Sequence, residues 1–136
     1  MLYIDFLMIW CYIHCEIPWA EVSGTENTGH SFISYFKRAT SPLVVLRCLL
    51  ERPMYGYEIS SALKERSGGK FTISLLYPVL YRLEEQGYVE IASTEVADGR
   101  ARSYYGITEA GRDYLKKTLA EYEDISSVFR QLMDLE

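Results

Sequence analysis

Residues 72–107 read TISLLYPVLYRLEEQGYVEIASTEVADGRARSYYGI, and the period of the apolar side chains changes part-way through. Leu76, Val79, Leu80 and Leu83 recur at helical spacing, which predicts a helix that starts after Thr72 or Ser74 and stops at Gly87. Pro78 falls close enough to its start to cost little. From Tyr88 the pattern alternates. Tyr88-Val89-Glu90-Ile91 opens a strand, and Ser103-Tyr104-Tyr105-Gly106-Ile107 forms its return. Between them Ala97-Asp98-Gly99-Arg100 is a turn signal, because Asp-Gly tolerates the positive φ that tight hairpins require.

Two more helices are expected upstream. Ser41 reads as an N-cap with Pro42 at the first helical position, and Leu43, Val44, Leu46, Cys48, Leu49 and Leu50 supply an apolar face that ends at Arg52-Pro53. The next helix begins near Tyr55-Gly56 and carries Tyr57, Ile59, Ser60, Leu63 and Lys64 to a stop at Gly68-Gly69. Downstream, Thr108-Glu109-Ala110-Gly111 opens a long final helix. On it Leu115, Tyr122 and Phe129 are seven residues apart, Ile125 and Leu132 follow the last two by three, and Leu119 and Met133 widen the stripe. That seam is broader than a small domain needs and has the spacing of a coiled-coil interface. Three helices followed by a hairpin make a winged helix-turn-helix, so the fold class is mainly α with a small β-hairpin (α+β), plus a C-terminal dimerisation helix. The expected boundaries are 1–35 for an N-terminal extension, 36–107 for the winged-helix domain and 108–136 for the dimerisation helix.

The 136 residues suffice for one domain. Their formal charge of −5 argues against a nucleic-acid partner until it is resolved by segment. Residues 1–36 contribute −4, residues 37–107 contribute +2 and residues 108–136 contribute −3. The only basic surplus therefore falls on the winged-helix segment, and an acidic total is compatible with a local basic face. Cys48 lies in an apolar run and reads as a small buried hydrophobe. Cys11, His14 and Cys15 would need a further ligand to hold a metal, and the distant His30 is a poor one, so neither metal nor cofactor is expected. Phe6 to Ile13 is too short for a bilayer span, and no Lys or Arg precedes Lys37 to make a signal peptide. The expectation is a cytoplasmic protein without a membrane partner. Residues 1–35 are expected to be atypical: disordered, the product of a misassigned start codon, or an apolar helix packed against a dimer.

Five stretches together resemble the PadR family of bacterial transcriptional regulators. They are Met54-Tyr55-Gly56-Tyr57-Glu58-Ile59, Leu76 to Glu84 with the following Gly87, Gly99-Arg100, Tyr104-Tyr105, and Thr108-Glu109-Ala110-Gly111. Each is weak alone; their common order and spacing over roughly residues 36–136 is specific. With one helix after the wing and no second domain, the chain is similar to the compact branch that includes drug-sensing repressors. The resemblance implies a homodimeric repressor that binds double-stranded operator DNA.

In such a fold the third helix enters the major groove. With Leu76, Val79, Leu80 and Leu83 facing inward, Ser74, Leu75, Tyr77, Pro78, Tyr81 and Arg82 remain on or near the outer face. Tyr77 and Tyr81, one turn apart, are candidates for base or phosphate contact; the alternative is that one is half buried against the wing. Arg82 has two readings, phosphate contact or an ion pair with Glu85. Arg100 and Arg102 on the wing are candidates for the phosphate backbone or minor groove, with an ordinary solvated hairpin as the alternative. Lys37 and Arg38 before the first helix, and Lys64 and Lys70 around the turn before the third, are further phosphate candidates.

The candidate dimer interface is Leu115, Leu119, Tyr122, Ile125, Phe129, Leu132 and Met133. The resemblance also implies an effector site. The compact drug sensors carry a Trp between subunits where this chain has Tyr122, so a small hydrophobic effector against Tyr122 stands beside the reading of Tyr122 as plain interface packing. The competing function class is a winged helix that docks on protein without reading DNA, which the negative total charge keeps open. An enzyme is not expected: His14 and His30 are the only histidines, and residues 37–107 contain no nucleophile–base array or phosphate-cradling loop.

Overall fold

The computed structural model describes residues 31–134. Residues from Phe32 onward form one compact unit. Its elements are α1 (Phe32–Leu49), α2 (Gly56–Arg66), α3 (Leu76–Glu85), β1 (Val89–Ala97), β2 (Arg100–Ile107) and α4 (Glu109–Leu132). The expectations for Cys11, His14, Cys15, His30 and the extension up to residue 30 lie outside the described residues.

The core follows the helical spacing on α2 and α3, but on α1 it takes in Val45, which the expected apolar face passed over, while Leu43, Val44 and Leu50 are only partly buried. Val45, Leu46, Cys48 and Leu49 of α1, Ile59 and Leu63 of α2, and Leu76, Leu80 and Leu83 of α3 are buried together with Met54, Val89, Tyr105 and Leu115. Each large aliphatic side chain removed from water here stabilises the fold by roughly 1.5–3 kcal/mol. At the ends of α1 and α2, Glu51 receives both nitrogens of Arg66 at 2.8 and 2.6 Å and Arg47 at 3.2 Å. The Arg66 guanidinium is the main reason the Glu51 carboxyl is held below its usual range.

The start of α1 departs from expectation. Ser41 is not an N-cap: the helix begins at Phe32, inside the range assigned to the extension, and Ser41 is a buried interior residue. Its hydroxyl donates to the carbonyl of Lys37, and the Thr40 hydroxyl donates to that of Phe36 at 2.7 Å. A Ser or Thr side chain bonded one turn back is satisfied inside a helix, so Ser-Pro need not start one. Pro42 forfeits one amide bond within α1.

The hairpin is longer than its alternating segment. β1 and β2 pair antiparallel from Val89↔Ile107 to Ala97↔Arg100, with a bulge between Ile91 and Ser93. The two-residue turn has Asp98 at φ 53° and Gly99 at φ 72°, both left-handed, as a type I′ turn demands. Beyond Val89 the strand is exposed or only partly buried to its end, so no face is selected to be apolar. A third, minimal strand joins the sheet: Met54 N–H donates to the Tyr105 carbonyl at 3.0 Å, and Tyr105 N–H returns to the Met54 carbonyl at 2.9 Å.

α4 starts where the sequence placed it. The Thr108 hydroxyl accepts from Gly111 N–H at 3.1 Å and donates to the Gly87 carbonyl at 2.6 Å. Gly111 is required by proximity: a methyl there would overlap the Tyr88 carbonyl oxygen. This first stretch of α4 lies on the domain, where Tyr114 stacks on Tyr88 at 4.3 Å and Leu115 is 3% exposed. Leu115 is therefore not available to a partner. Its assignment to the dimer interface is corrected: its heptad relation to Tyr122 continues along the helix, but the surface it meets is the chain's own core.

Candidate nucleic-acid interface

Helix α3 separates its faces cleanly. Leu76, Leu80 and Leu83 are buried and Val79 is partly so, while Ser74, Leu75, Tyr77, Pro78, Tyr81 and Arg82 are exposed. The rings of Tyr77 and Tyr81 lie 6.1 Å apart, tilted by 39°. Tyr77 is 51% and Tyr81 57% exposed, and the part of Tyr77 that is covered lies against Gly56 at the start of α2. Arg82 forms no ion pair with Glu85; among the described residues it is in no salt bridge. The ion-pair reading therefore falls away, leaving an exposed cation beside two phenols.

The two wing arginines differ. Arg100 is exposed at the turn and enters no salt bridge among the described residues. Arg102 is folded back: its guanidinium lies 5.3 Å from the Tyr55 ring centre, and one nitrogen is 3.8 Å from Asp98. Tyr55 meets Tyr104 edge-on at 5.4 Å and stacks with Tyr57 at 6.3 Å. Tyr104 donates to Glu95 at 3.2 Å, and burial followed by that carboxylate pushes its hydroxyl pKa up. Arg102 thus fastens the wing to the start of α2. The sequence did not separate it from Arg100, because the tether is formed by residues far apart in the chain.

The remaining cations fall in three places. Lys37 is partly buried, 5.9 Å over the Phe71 ring, beside the segment that leads into α3. Lys64 and Lys70 are exposed on either side of the α2–α3 turn. Arg38 lies over Tyr35 of its own helix at 5.8 Å. The start of α2 was missed as a positioning element. There Tyr55 N–H donates to Glu58 at 3.2 Å, and Arg52 pairs with Glu58 at 3.0 Å. The signal for it was the Gly56 set between two tyrosines.

Beyond Leu115, α4 and the Met133 that caps it expose Leu119, Tyr122, Ile125, Val128, Phe129, Leu132 and Met133. The first turns of α1 expose Phe32, Ile33, Tyr35 and Phe36, and Phe36 meets Tyr122 edge-on at 6.5 Å. Exposed apolar side chains from two elements thus join in one surface.

Residues 45–117 match the family model described as the transcriptional regulator PadR-like family. The chain belongs to that family. A PadR-family regulator from Eggerthella lenta superposes with a TM-score of 0.66 at 27% identity, over 75% of this chain and 88% of its own. A transcriptional regulator from Clostridium thermocellum gives a TM-score of 0.67 at 30% identity, over 72% and 97%. In sequence, the transcriptional regulator Rv3488 of Mycobacterium tuberculosis is 33% identical over 91 residues, 67% of this chain and 83% of its own length. An uncharacterized protein X of Lysinibacillus sphaericus is 36% identical over 93 residues. PadR membership makes the chain a winged-helix transcriptional regulator and not an enzyme. Among the described residues no helix is long and apolar enough to cross a membrane, and no cluster of three or more His, Cys, Asp or Glu could hold a metal ion.

Proposed function

We propose that this PadR-family chain is a sequence-specific repressor that binds an inverted-repeat operator as a homodimer. The observation that carries the reading is the outer face of α3, where Tyr77, Tyr81 and Arg82 stand exposed opposite buried Leu76, Leu80 and Leu83. Ser74, Pro78 and these three side chains meet base edges and phosphates in the major groove. Arg100 reaches the flanking backbone from the wing, and Lys37, Lys64 and Lys70 contact phosphates around the α2–α3 turn. Arg38, exposed on α1 next to Lys37, supplies a further phosphate contact. The exposed seam of Leu119, Tyr122, Ile125, Phe129, Leu132 and Met133 is the dimer interface, and its two-fold axis imposes an inverted repeat with half-sites about one helical turn apart or a multiple of it. Selection from a randomised duplex library tests this: enrichment of a palindromic sequence supports it, and enrichment of an asymmetric single half-site argues against the symmetric dimer. No enrichment, with no binding even at low salt, favours a protein-docking module.

Induction is proposed through Tyr122, whose ring touches Phe36 on one edge and is 43% exposed. A small hydrophobic effector held between the subunits would change the angle between the two α4 helices and so the spacing of the two α3 helices. A ligand shifts that equilibrium only by its differential affinity for the two geometries, typically about 1–3 kcal/mol. A thermal-shift screen of flat apolar compounds on wild type and Tyr122→Ala tests it. Selective stabilisation of the wild type supports an effector site; a less stable mutant with no stabilising compound leaves Tyr122 as interface packing.

A further inference from the structure

The tyrosine that heads the outer face of α3 does not stand free of the fold. A Cβ built on Gly56 would lie 2.8 Å from both Cζ and Oη of Tyr77, and 3.3 Å from its Cε1. The end of the Tyr77 phenol therefore occupies the space where a side chain at position 56 would sit. Gly56 is itself buried, and the backbone that forms this seat is fixed from both sides. Met54, two residues earlier, exchanges both of its backbone hydrogen bonds with Tyr105 of β2. Tyr55 N–H is held by Glu58, and the Tyr55 ring by Arg102 and Tyr104. Ile59, one turn into α2, is fully buried. When the seat cannot move and the phenol is the free end of a side chain, a group added at position 56 displaces the phenol.

We propose that Gly56 is a specificity-determining positioning residue, which leaves open the seat of the Tyr77 phenol and so sets where the Tyr77 hydroxyl stands on the DNA-reading face. The proposal rests on the reading of α3 as the groove helix. It adds a mechanical connection: β2 of the wing fixes Met54, the chain from Met54 to Gly56 fixes the seat, and the seat fixes Tyr77, whose ring neighbours Tyr81. A hydroxyl moved by an ångström loses a base contact while every phosphate contact survives. Specificity and general affinity thereby become separable.

The test uses the full chain and two probes: a duplex enriched by the wild type from a randomised library, and the unselected library. Gly56→Ala is expected to lower the preference for the enriched duplex about tenfold, within the discrimination a single good base contact supplies. Its affinity for unselected duplex and its salt dependence should equal those of the wild type. A purely structural role would move the unfolding midpoint and leave the preference intact. Gly56→Ala/Tyr77→Ala is expected to match Tyr77→Ala alone, since the glycine acts only through that side chain. If Gly56→Ala unfolds at lower temperature, the double variant should recover the midpoint, because the three atoms nearest the added methyl all belong to Tyr77. Gly56→Ala with wild-type preference, or a double variant whose loss is the sum of the two singles, overturns the proposal. A wild type that enriches no sequence overturns it together with the groove reading; an intact preference in Gly56→Ala overturns it alone.

Discussion

Gly111→Ala introduces one methyl group where the first turn of α4 crosses the end of α3 and the start of the wing. The methyl overlaps the Tyr88 carbonyl oxygen and lies 2.9 Å from Ile107 Cγ1 and 3.0 Å from the Tyr88 carbonyl carbon. Ordinary carbon contacts are about 3.5–4.0 Å. Tyr88 has little room to retreat: its N–H donates to the Leu83 carbonyl at 2.9 Å, and its ring is stacked on Tyr114. Relief must come from α4 moving outward by about an ångström. That movement breaks Thr108 N–H to the Tyr88 carbonyl and strains the Thr108 hydroxyl bond to Gly87, a loss of about 1 kcal/mol for each. It also loosens the packing of Leu115, which stabilises by roughly 1.5–3 kcal/mol when complete. Against this stands the better helix propensity of Ala, about 1 kcal/mol. The net expectation is destabilisation by about 2–3 kcal/mol, equivalent to a midpoint roughly 10–20 °C lower for a domain of this size. Thermal unfolding by circular dichroism, at one fixed protein concentration because association adds to apparent stability, measures it. A midpoint within a few degrees of the wild type would refute the close approach.

Phe129→Glu is expected to give folded monomers in analytical ultracentrifugation, whereas Leu115→Glu, in the core, should unfold the chain; a folded Leu115→Glu monomer would contradict its burial. Arg100→Ala should reduce the slope of log affinity against log salt by about one, as the loss of one phosphate contact does, and weaken binding to all sequences alike. Tyr55→Leu, which removes the ring beneath Arg102, should lower the unfolding midpoint of the free protein; an unchanged midpoint would mean that the tether is idle. Because Arg66 depresses the folded-state pKa of Glu51, that pair adds stability at pH above about 4.5, the ordinary value, and the contribution disappears as pH falls through the lowered value. Glu51→Gln should therefore lose stability at neutral pH and show a shallower acid decline than the wild type, read from urea midpoints across pH.

The elements that the sequence revealed are those whose signals are local. Leu76, Leu80 and Leu83 repeat at helical spacing and bury one face of α3, so the exposed set that includes Tyr77, Tyr81 and Arg82 followed directly. Asp98-Gly99 and Thr108-x-x-Gly111 each complete their geometry within four residues. Ser41-Pro42 has the composition of a helix start, but the Ser41 hydroxyl is satisfied by Lys37 one turn back, and the helix runs through it. The outer wing is exposed on both faces, which removes the alternation that would mark its length. Met54 with Tyr105, Arg102 with Tyr55, and Gly56 with Tyr77 join residues distant in the chain, and a one-residue bridge or a single seat has no period to read. The heptad through Leu115 was real as spacing; which surface covers each position is decided by where the helix leaves the domain.

The most direct measurement is equilibrium binding of the full chain to the library-enriched duplex and to unselected duplex, by fluorescence anisotropy across salt concentrations. The expected result is two protomers per enriched duplex, a preference of about a thousandfold or more at near-physiological salt, and affinity for both duplexes that falls steeply as salt rises. Equal affinity for the two duplexes, or none for either at low salt, would contradict a winged helix that reads operator DNA through Tyr77, Tyr81 and Arg82.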